Sequence, residues 1–191
     1  MLSATSAFFV MQNAAKHPSH RPLLWITRNW LAIVNTFLLA FAGLPVLTPL
    51  VRADGMTGSA DAIAQAYSLV CHQMPSRSYF LLGYQMAYCE RDTAIYAAMA
   101  LSGLLWARYH RRLPRLHWSL FLLLILPMAL DGSSQLFGLR ESTWELRTIT
   151  GALFGLACVW FGFPLLATSL KLIRIALRAS VSRRELAPVP A

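Results

Sequence analysis

The chain has 191 residues, of which 57% are hydrophobic and 13% are charged, and its formal net charge at pH 7 is +9. A soluble domain has about 25% charged residues, so this composition excludes an ordinary soluble fold and predicts an integral membrane protein. The basic residues flank apolar stretches. The positive charge therefore indicates membrane topology and does not predict nucleic-acid binding.

Four apolar stretches bounded by charged residues predict an all-α membrane protein with about four transmembrane helices. The stretches cover residues 31–51, 93–106, 118–130 and 148–170. Because a span needs about 20 residues, the middle two must include neighbouring polar residues. The expected organisation is a cytoplasmic tail over 1–29, a four-helix transmembrane domain over 30–170 with an outer loop over 52–92, and a basic cytoplasmic tail over 171–191.

The distribution of the 17 Lys and Arg residues predicts that both termini lie in the cytoplasm, and we expect the protein in a bacterial inner (plasma) membrane. In this orientation twelve basic residues lie inside and five lie outside, namely Arg52, Arg77, Arg91, Arg140 and Arg147. The anionic headgroups of the cytoplasmic leaflet are the expected partners of the inner charges.

The first span has a second interpretation, a cleaved signal sequence. Val51-Arg52-Ala53 is a small-x-small pattern, and the helix breakers Pro45 and Pro49 precede it. The apolar run is long for a signal sequence, and a long leader precedes it. We therefore favour a retained span.

The outer loop is expected to contain two helices. Ser59 or Asp61 can cap the first one. Its apolar stripe consists of Ile63, Ala66, Tyr67 and Val70. Pro75 stops this helix, Ser76 caps the second, and the aromatic segment 79–88 lies at the level of the lipid headgroups.

Residue types that bind metals are concentrated at the outer membrane boundary. Cys71 and His72 follow the first loop helix, and Cys89 and Asp92 lie where the chain enters the second span. These four residues supply the ligand types and the number for a tetrahedral site that holds zinc or another transition metal. The alternative is a disulfide between the two cysteines, which would close a loop of about 19 residues and stabilise the fold by roughly 3 kcal/mol. The sequence leaves both open.

The third span is expected to carry an acidic residue, Asp131, about 20 Å beyond Trp118 and inside the bilayer. An acid at such a depth indicates a functional site and should face protein or water. We expect Asp131 beside the cysteines, where it orients a metal ligand or competes with one. Arg140 and Arg147 come next in the chain, and each can pair with a buried carboxylate or bind an anion.

Two features of the last span are expected to be structural. Gly151 and Gly155 form a GxxxG pattern, for which close packing within the helix bundle is favoured over dimerisation. Cys158 is expected to be a small core residue.

Three segments resemble a widespread, uncharacterised family of predicted prokaryotic membrane proteins, a domain of unknown function. The segments are CHQMPSRSYFLLGYQMAYCERDTAIY, PMALDG and GLRESTWELRTITGALFG, and the resemblance runs from about Cys71 to Phe163. It implies a membrane protein but no particular activity. In that family a second cysteine usually stands at the position of Asp92, so this chain keeps an anionic ligand where the family has a thiolate.

Three functional hypotheses follow, and the sequence does not decide whether the protein is an enzyme. In the first, the thiolates and His72 hold a metal ion or carry out thiol redox chemistry, Asp131 tunes the site or accepts a proton, and Arg140 or Arg147 holds an anionic group. In the second, a small transporter or accessory subunit lines an outward cavity with Asp131 and Arg147, and a disulfide closes its lid. The third is a structural partner of other membrane subunits.

Overall fold

The computed structural model describes residues 21–110 and 112–185. The described chain contains five α-helices: α1 (Arg21–Ala53), α2 (Thr57–Tyr67), α3 (Glu90–Tyr109), α4 (Trp118–Leu136) and α5 (Trp144–Glu185). Between α2 and α3 lie a short 3₁₀ turn (Pro75–Arg77) and two antiparallel strands, β1 (Ser78–Leu81) and β2 (Tyr84–Cys89). Most of the tail expected over 1–29 lies outside the described residues.

Among the described residues, three helical segments are long and apolar enough to cross a membrane: Pro22–Ala53, Trp118–Leu136 and Trp144–Ala179. The stretch 93–106, expected as the second span, lies inside α3, which has 20 residues. Because the first turn of α3 carries Glu90, Arg91 and Asp92, this helix is less apolar than the other three. A membrane protein with several spanning helices is supported, and the fourth span stays a prediction.

The described residues form two compact units. One consists of residues 21–33 of α1 and residues 164–185 of α5. The other, Val34–Phe163, contains α2, both strands, α3, α4 and every candidate site residue. The site is therefore built within a single unit.

The segment after Pro75 is a β-hairpin, so the expected second loop helix is wrong and the fold is not purely helical. Ser78 pairs with Cys89, and Phe80 pairs with Gln85. Leu82 and Gly83 form the two-residue turn with φ values of 52° and 80°, a left-handed conformation that such hairpin turns require. Aromatic residues such as Tyr79, Phe80 and Tyr84 favour a strand over a helix.

The first loop helix, α2, exists but begins and ends earlier than expected. It starts at Thr57, and neither Ser59 nor Asp61 caps it, because both lie within its first turns. Asp61 instead forms an ion pair with Arg52. The helix ends at Tyr67, so Val70 lies beyond it and is exposed.

Four aromatic rings hold α1, α2, β2 and α3 together beside the cysteines. The ring centroids of Phe41 and Tyr67 lie 5.2 Å apart, and that of Tyr88 lies 5.0 Å from those of both Tyr67 and Tyr96. The Tyr67 hydroxyl donates to the carbonyl oxygen of Phe41 at 3.2 Å. Cys71 belongs to this buried cluster, which therefore fixes its position.

The two glycines of the GxxxG pattern pack α5 against α3, as predicted. A Cβ atom at Gly155 would lie 2.3 Å from the carbonyl oxygen of Ile95, and one at Gly151 would lie 2.8 Å from that of Arg91. Only glycine allows the two backbones to approach this closely. Cys158, on the same helix, is half-buried.

Candidate functional site

Two thiols and one carboxylate form a compact cluster at the start of α3. One ligand atom from each of Cys71, Cys89 and Asp92 lies within 4.8 Å of the other two. The Cys89 thiol donates to Asp92 Oδ2 at 3.2 Å, and the Cys89 backbone N–H donates to Cys71 Sγ at 3.2 Å. Cys71 is buried, whereas Cys89 and Asp92 are half-buried.

Local structure explains why Cys89 and Asp92 meet. Cys89 ends β2 and is the N-cap of α3, with an extended backbone. Its sulfur accepts a hydrogen bond from the Asp92 backbone N–H at 3.5 Å. A cap residue and the third residue of a helix lie on the same face of its first turn, so the carboxylate lies beside the sulfur.

Hydrogen bonds from two glutamine side chains hold the loop that carries Cys71. The Gln73 side chain donates to the carbonyl oxygen of Ala64 in α2 at 2.7 Å, and the Gln85 side chain donates to that of Gln73 at 2.6 Å. The loop is therefore tied to α2 on one side and to the hairpin on the other. Gln73 has a left-handed φ of 50°, and the turn there reverses the chain after Cys71.

The two thiols differ in acidity. The adjacent Cys89 side chain lowers the pKa of Cys71 below its ordinary value, and the hydrogen bond from the Cys89 backbone N–H acts in the same direction. The adjacent Cys71 side chain raises the pKa of Cys89, and burial raises it further. A thiol that accepts a hydrogen bond is stabilised as the thiolate, and its donor is stabilised as the neutral form. Cys71 is therefore the first of the pair to ionise.

His72 lies at the same cavity but apart from the cluster. Its side chain is exposed, and it is not one of the three residues whose ligand atoms lie within 4.8 Å of one another. Consecutive residues outside a helix point in different directions, and Cys71 is the one that points inward. Three of the four proposed ligands are thus brought together, with the fourth next to them.

The cluster borders a cavity of about 230 Å³. Other polar side chains that line it, besides the cluster, include His72, Arg77, Arg91, Gln135 and Arg147. The cavity therefore combines sulfur and carboxylate ligands with guanidinium groups. From the sequence no role was expected for Gln135, and Arg91 was expected only as one of the five basic residues on the outer side. The polar run at the end of α4 and the Cys89-to-Asp92 run are the signals that could have indicated both.

Asp131 is enclosed by three side chains and is 2% exposed. Arg91 and Ser142 both donate to its Oδ2, the latter at 3.0 Å, and Arg140 donates to Oδ1 at 2.7 Å. The structure places Asp131 against protein and pairs Arg140 with this buried carboxylate, which is one of the two roles expected for that arginine. Asp131 is not among the residues that line the cavity.

Arg147 pairs with a carboxylate that sequence analysis did not single out. Its Nη1 donates to Glu90 Oε2 at 2.8 Å, and its Nη2 donates to the carbonyl oxygen of Ser142 at 2.6 Å. Both charged side chains of this pair are about nine-tenths buried. Because Glu90 and Arg147 are 57 positions apart, no local pattern indicates this pair.

Taken together, these observations define a helical membrane protein with a thiol–carboxylate cluster next to buried ion pairs. Residues 71–161 match the family described as Predicted membrane protein (DUF2085). An uncharacterized protein of Methanocaldococcus jannaschii is 37% identical over 147 residues, which cover 72% of this chain and 92% of the relative. The chain belongs to this family of predicted membrane proteins.

A second relative shows the same similarity over a shorter stretch. An uncharacterized protein of Methanothermobacter thermautotrophicus is 32% identical over 93 residues, which cover 47% of this chain and 80% of the relative. Both relatives are archaeal, so they give no support to the expected bacterial origin. No solved structure matches the chain.

Proposed function

We propose that this membrane protein binds a transition-metal ion, with zinc the best fit, through Cys71, Cys89 and Asp92. The observation that carries the proposal is the approach of two sulfur atoms and one carboxylate oxygen to within 4.8 Å of one another. Asp92 forms no ion pair with any residue of the described chain. A divalent cation is the partner that suits a set of two thiols and one free carboxylate.

The ligand distances are compatible with zinc after small side-chain rotations. Zinc–sulfur bonds of about 2.3 Å in a tetrahedral site place the ligand atoms about 3.5–3.8 Å apart. Cys89 Sγ and Asp92 Oδ2 are already 3.2 Å apart. Thiolates prefer zinc and other soft or borderline ions, whereas calcium and magnesium prefer oxygen ligands.

Three protein ligands leave a fourth coordination position. His72, which lines the same cavity, can fill it if its side chain turns inward, and the site is then closed and structural. If His72 stays exposed, the fourth position is open to the cavity, as in catalytic zinc sites. We favour the open arrangement because His72 is exposed.

The approach of the Cys71 and Cys89 sulfur atoms to within 4.8 Å of each other favours a second function, thiol redox chemistry. Cys71 and Cys89 lose two protons and two electrons when they form a disulfide, and the electrons must pass to an external acceptor such as a quinone or another disulfide. The more acidic Cys71 would act as the attacking thiolate. The transport hypothesis has less support, because Asp131 is paired with two arginines and does not line the cavity.

We also propose the topology that this function requires: four spans including α3, both termini in the cytoplasm, and the cluster on the extracytoplasmic side. The bias of Lys and Arg towards the segments assigned to the cytoplasm supports it. Anionic lipid headgroups are the proposed partners of those basic residues. In a variant without native cysteines, a cysteine at Ala53 should react with an impermeant maleimide on intact cells, and one at Leu113 should not. Labelling at Leu113 and not at Ala53 would show the opposite topology.

The metal proposal is tested by elemental analysis of protein purified in detergent without chelators, with free thiols counted on the same sample. We expect close to one equivalent of zinc in the wild type and in the control variant Cys158→Ser, and a loss of at least tenfold in Cys71→Ser. A metal-free wild type that contains a Cys71–Cys89 disulfide would reject the metal site and support the redox alternative. A metal-free protein whose two thiols stay reduced after treatment with a soluble quinone and with a small disulfide would reject both.

A further inference from the structure

Three residues that line the cavity beside the cluster carry buried hydrogen-bond donors without a protein partner. These donors are Arg91 Nε, Gln135 Nε2 and Arg147 Nε, and none of them makes a hydrogen bond in the described chain. Arg147 is 6% exposed. Buried donors in native proteins are nearly always satisfied by protein, ordered water or a bound group, so three of them on residues of one cavity favour a water or a ligand atom that accepts hydrogen bonds.

The orientation of Gln135 is fixed by its neighbour. Arg91 Nη2 donates to Gln135 Oε1 at 3.1 Å, so the acceptor end of this amide is occupied and the Nε2 end is the free one. With that oxygen occupied, Arg91, Gln135 and Arg147 offer hydrogen-bond donors and no acceptors to a ligand.

The ion pairs beside the cavity contain more arginines than carboxylates. Asp131 is shared by Arg91 and Arg140, so one carboxylate faces two guanidinium groups. Arg147 has its own partner, Glu90. The group made of Arg91, Arg140 and Asp131 therefore carries one surplus positive charge, and an anion is the acceptor that it favours.

We propose that this cavity binds a small oxyanion group, a phosphate or a carboxylate, through Arg91, Gln135 and Arg147. The proposal deepens the proposed function, since it names the class of substrate that would lie beside the metal or the thiols. A volume of about 230 Å³ suits a compact group and is smaller than most pockets for drug-sized ligands. A bound divalent cation would offset the negative charge of the thiolates and Asp92, and it would thereby favour an anion nearby.

The oxyanion can belong to a soluble molecule or to a lipid headgroup, and one experiment distinguishes these sources. Thermal unfolding is followed in detergent with inorganic phosphate or succinate at constant ionic strength, and in nanodiscs with or without phosphatidylglycerol. A rise in the unfolding temperature that saturates with the free anions indicates a soluble ligand. A rise in the unfolding temperature only in nanodiscs with phosphatidylglycerol indicates a lipid headgroup.

Two variants test the residues. Gln135→Met removes the amide at similar length, and Gln65→Met makes the same change on the exposed face of α2, away from the cavity. We expect at least tenfold weaker anion binding in Gln135→Met and unchanged binding in Gln65→Met. If Gln135→Met does not fold, Arg91→Lys is used in its place. This change keeps the positive charge but removes the planar guanidinium with its several N–H donors, and the same weakening of anion binding is expected.

The proposal is overturned if no anion gives a saturable effect in the wild type, or if all variants respond equally. Zinc is measured on the same samples. Bound zinc without any stabilisation by anions rejects the anion site alone. Stabilisation by anions without bound zinc rejects the metal site alone.

Discussion

The acidic residues at the start of α3 and in α4 are satisfied in two different ways. Glu90 and Asp131 are buried and paired with arginines. Asp92, two positions after Glu90, forms no ion pair with any described residue, and its carboxylate accepts a hydrogen bond from the Cys89 thiol. The first two belong to a buried ionic network. Asp92 belongs to the thiol–carboxylate cluster.

The difference separates structure from candidate chemistry. In the ionic network each carboxylate is paired with at least one arginine, and its bonds join α3, α4, the segment before α5 and the first turn of α5. In the thiol–carboxylate cluster all three groups lose a proton to become ligands, and they would then repel one another without a cation. We infer that the network positions the first turn of α3 and that the cluster is where a ligand binds.

The largest loss of stability is expected when the buried ionic network is broken. Arg147→Met leaves the buried Glu90 carboxylate without its partner and should lower the free energy of unfolding by about 3–5 kcal/mol. The double variant Glu90→Gln, Arg147→Met should recover a large part of this loss, because no isolated charge remains. Thermal or denaturant unfolding in detergent measures both.

The exposed pair of Arg52 and Asp61 supplies the matched control. Its side chains are 34% and 66% exposed, so Arg52→Met should cost less than about 1 kcal/mol. Equal losses for Arg52→Met and Arg147→Met would contradict the distinction between an exposed pair and a buried network. So would a double variant that is no more stable than Arg147→Met alone.

An intermediate effect is expected where α5 packs on α3, because this contact holds the network and the cluster in register. Gly155→Ala places a Cβ atom against the carbonyl oxygen of Ile95 and should cost about 1–3 kcal/mol. Gly162→Ala, on the same helix, meets no atom within 4 Å and should be neutral or stabilising by up to about 1 kcal/mol. Unfolding curves that do not separate the two variants would argue against close packing of these helices.

The smallest effect on stability is expected at Asp92. Asp92→Asn keeps the size of the side chain and removes a charge near a helix N-terminus, so it should cost about 1 kcal/mol or less. The same variant should weaken zinc binding by at least about tenfold, which equals about 1.4 kcal/mol. Competition with a chromophoric chelator measures the affinity. A variant that is much less stable than the wild type but binds zinc with unchanged affinity would place Asp92 in the structural network.

Much of the helical framework could be predicted from the sequence. The long apolar stretches at 31–51 and 148–170 lie within α1 and α5, and Gly151 and Gly155 mark a close helix contact. Asp131 was recognisable as a functional or paired residue because an acid inside an apolar helix needs a partner. These features depend on composition and local spacing, which a single sequence contains.

Other features depend on tertiary contacts. The segment 78–89 is short, apolar and aromatic, and such a segment does not by itself separate a strand from a helix. The pairing of Glu90 with Arg147 joins distant parts of the chain. His72 was grouped with Cys71 by adjacency alone, and the loop turns the two residues in different directions.

Cobalt substitution tests the central claim most directly. Cobalt(II) replaces zinc in tetrahedral sites, and its visible and near-ultraviolet spectrum reports the geometry and the thiolate ligands. For the purified wild type we expect intense tetrahedral d–d bands and a sulfur-to-cobalt charge-transfer band that saturate at one equivalent. The charge-transfer band should fall by at least half in Cys71→Ser or Cys89→Ser and stay unchanged in Cys158→Ser, in line with the thiolate ligation expected for such a site. Weak octahedral bands alone, or a spectrum that none of these variants alters, would contradict a metal site at Cys71, Cys89 and Asp92.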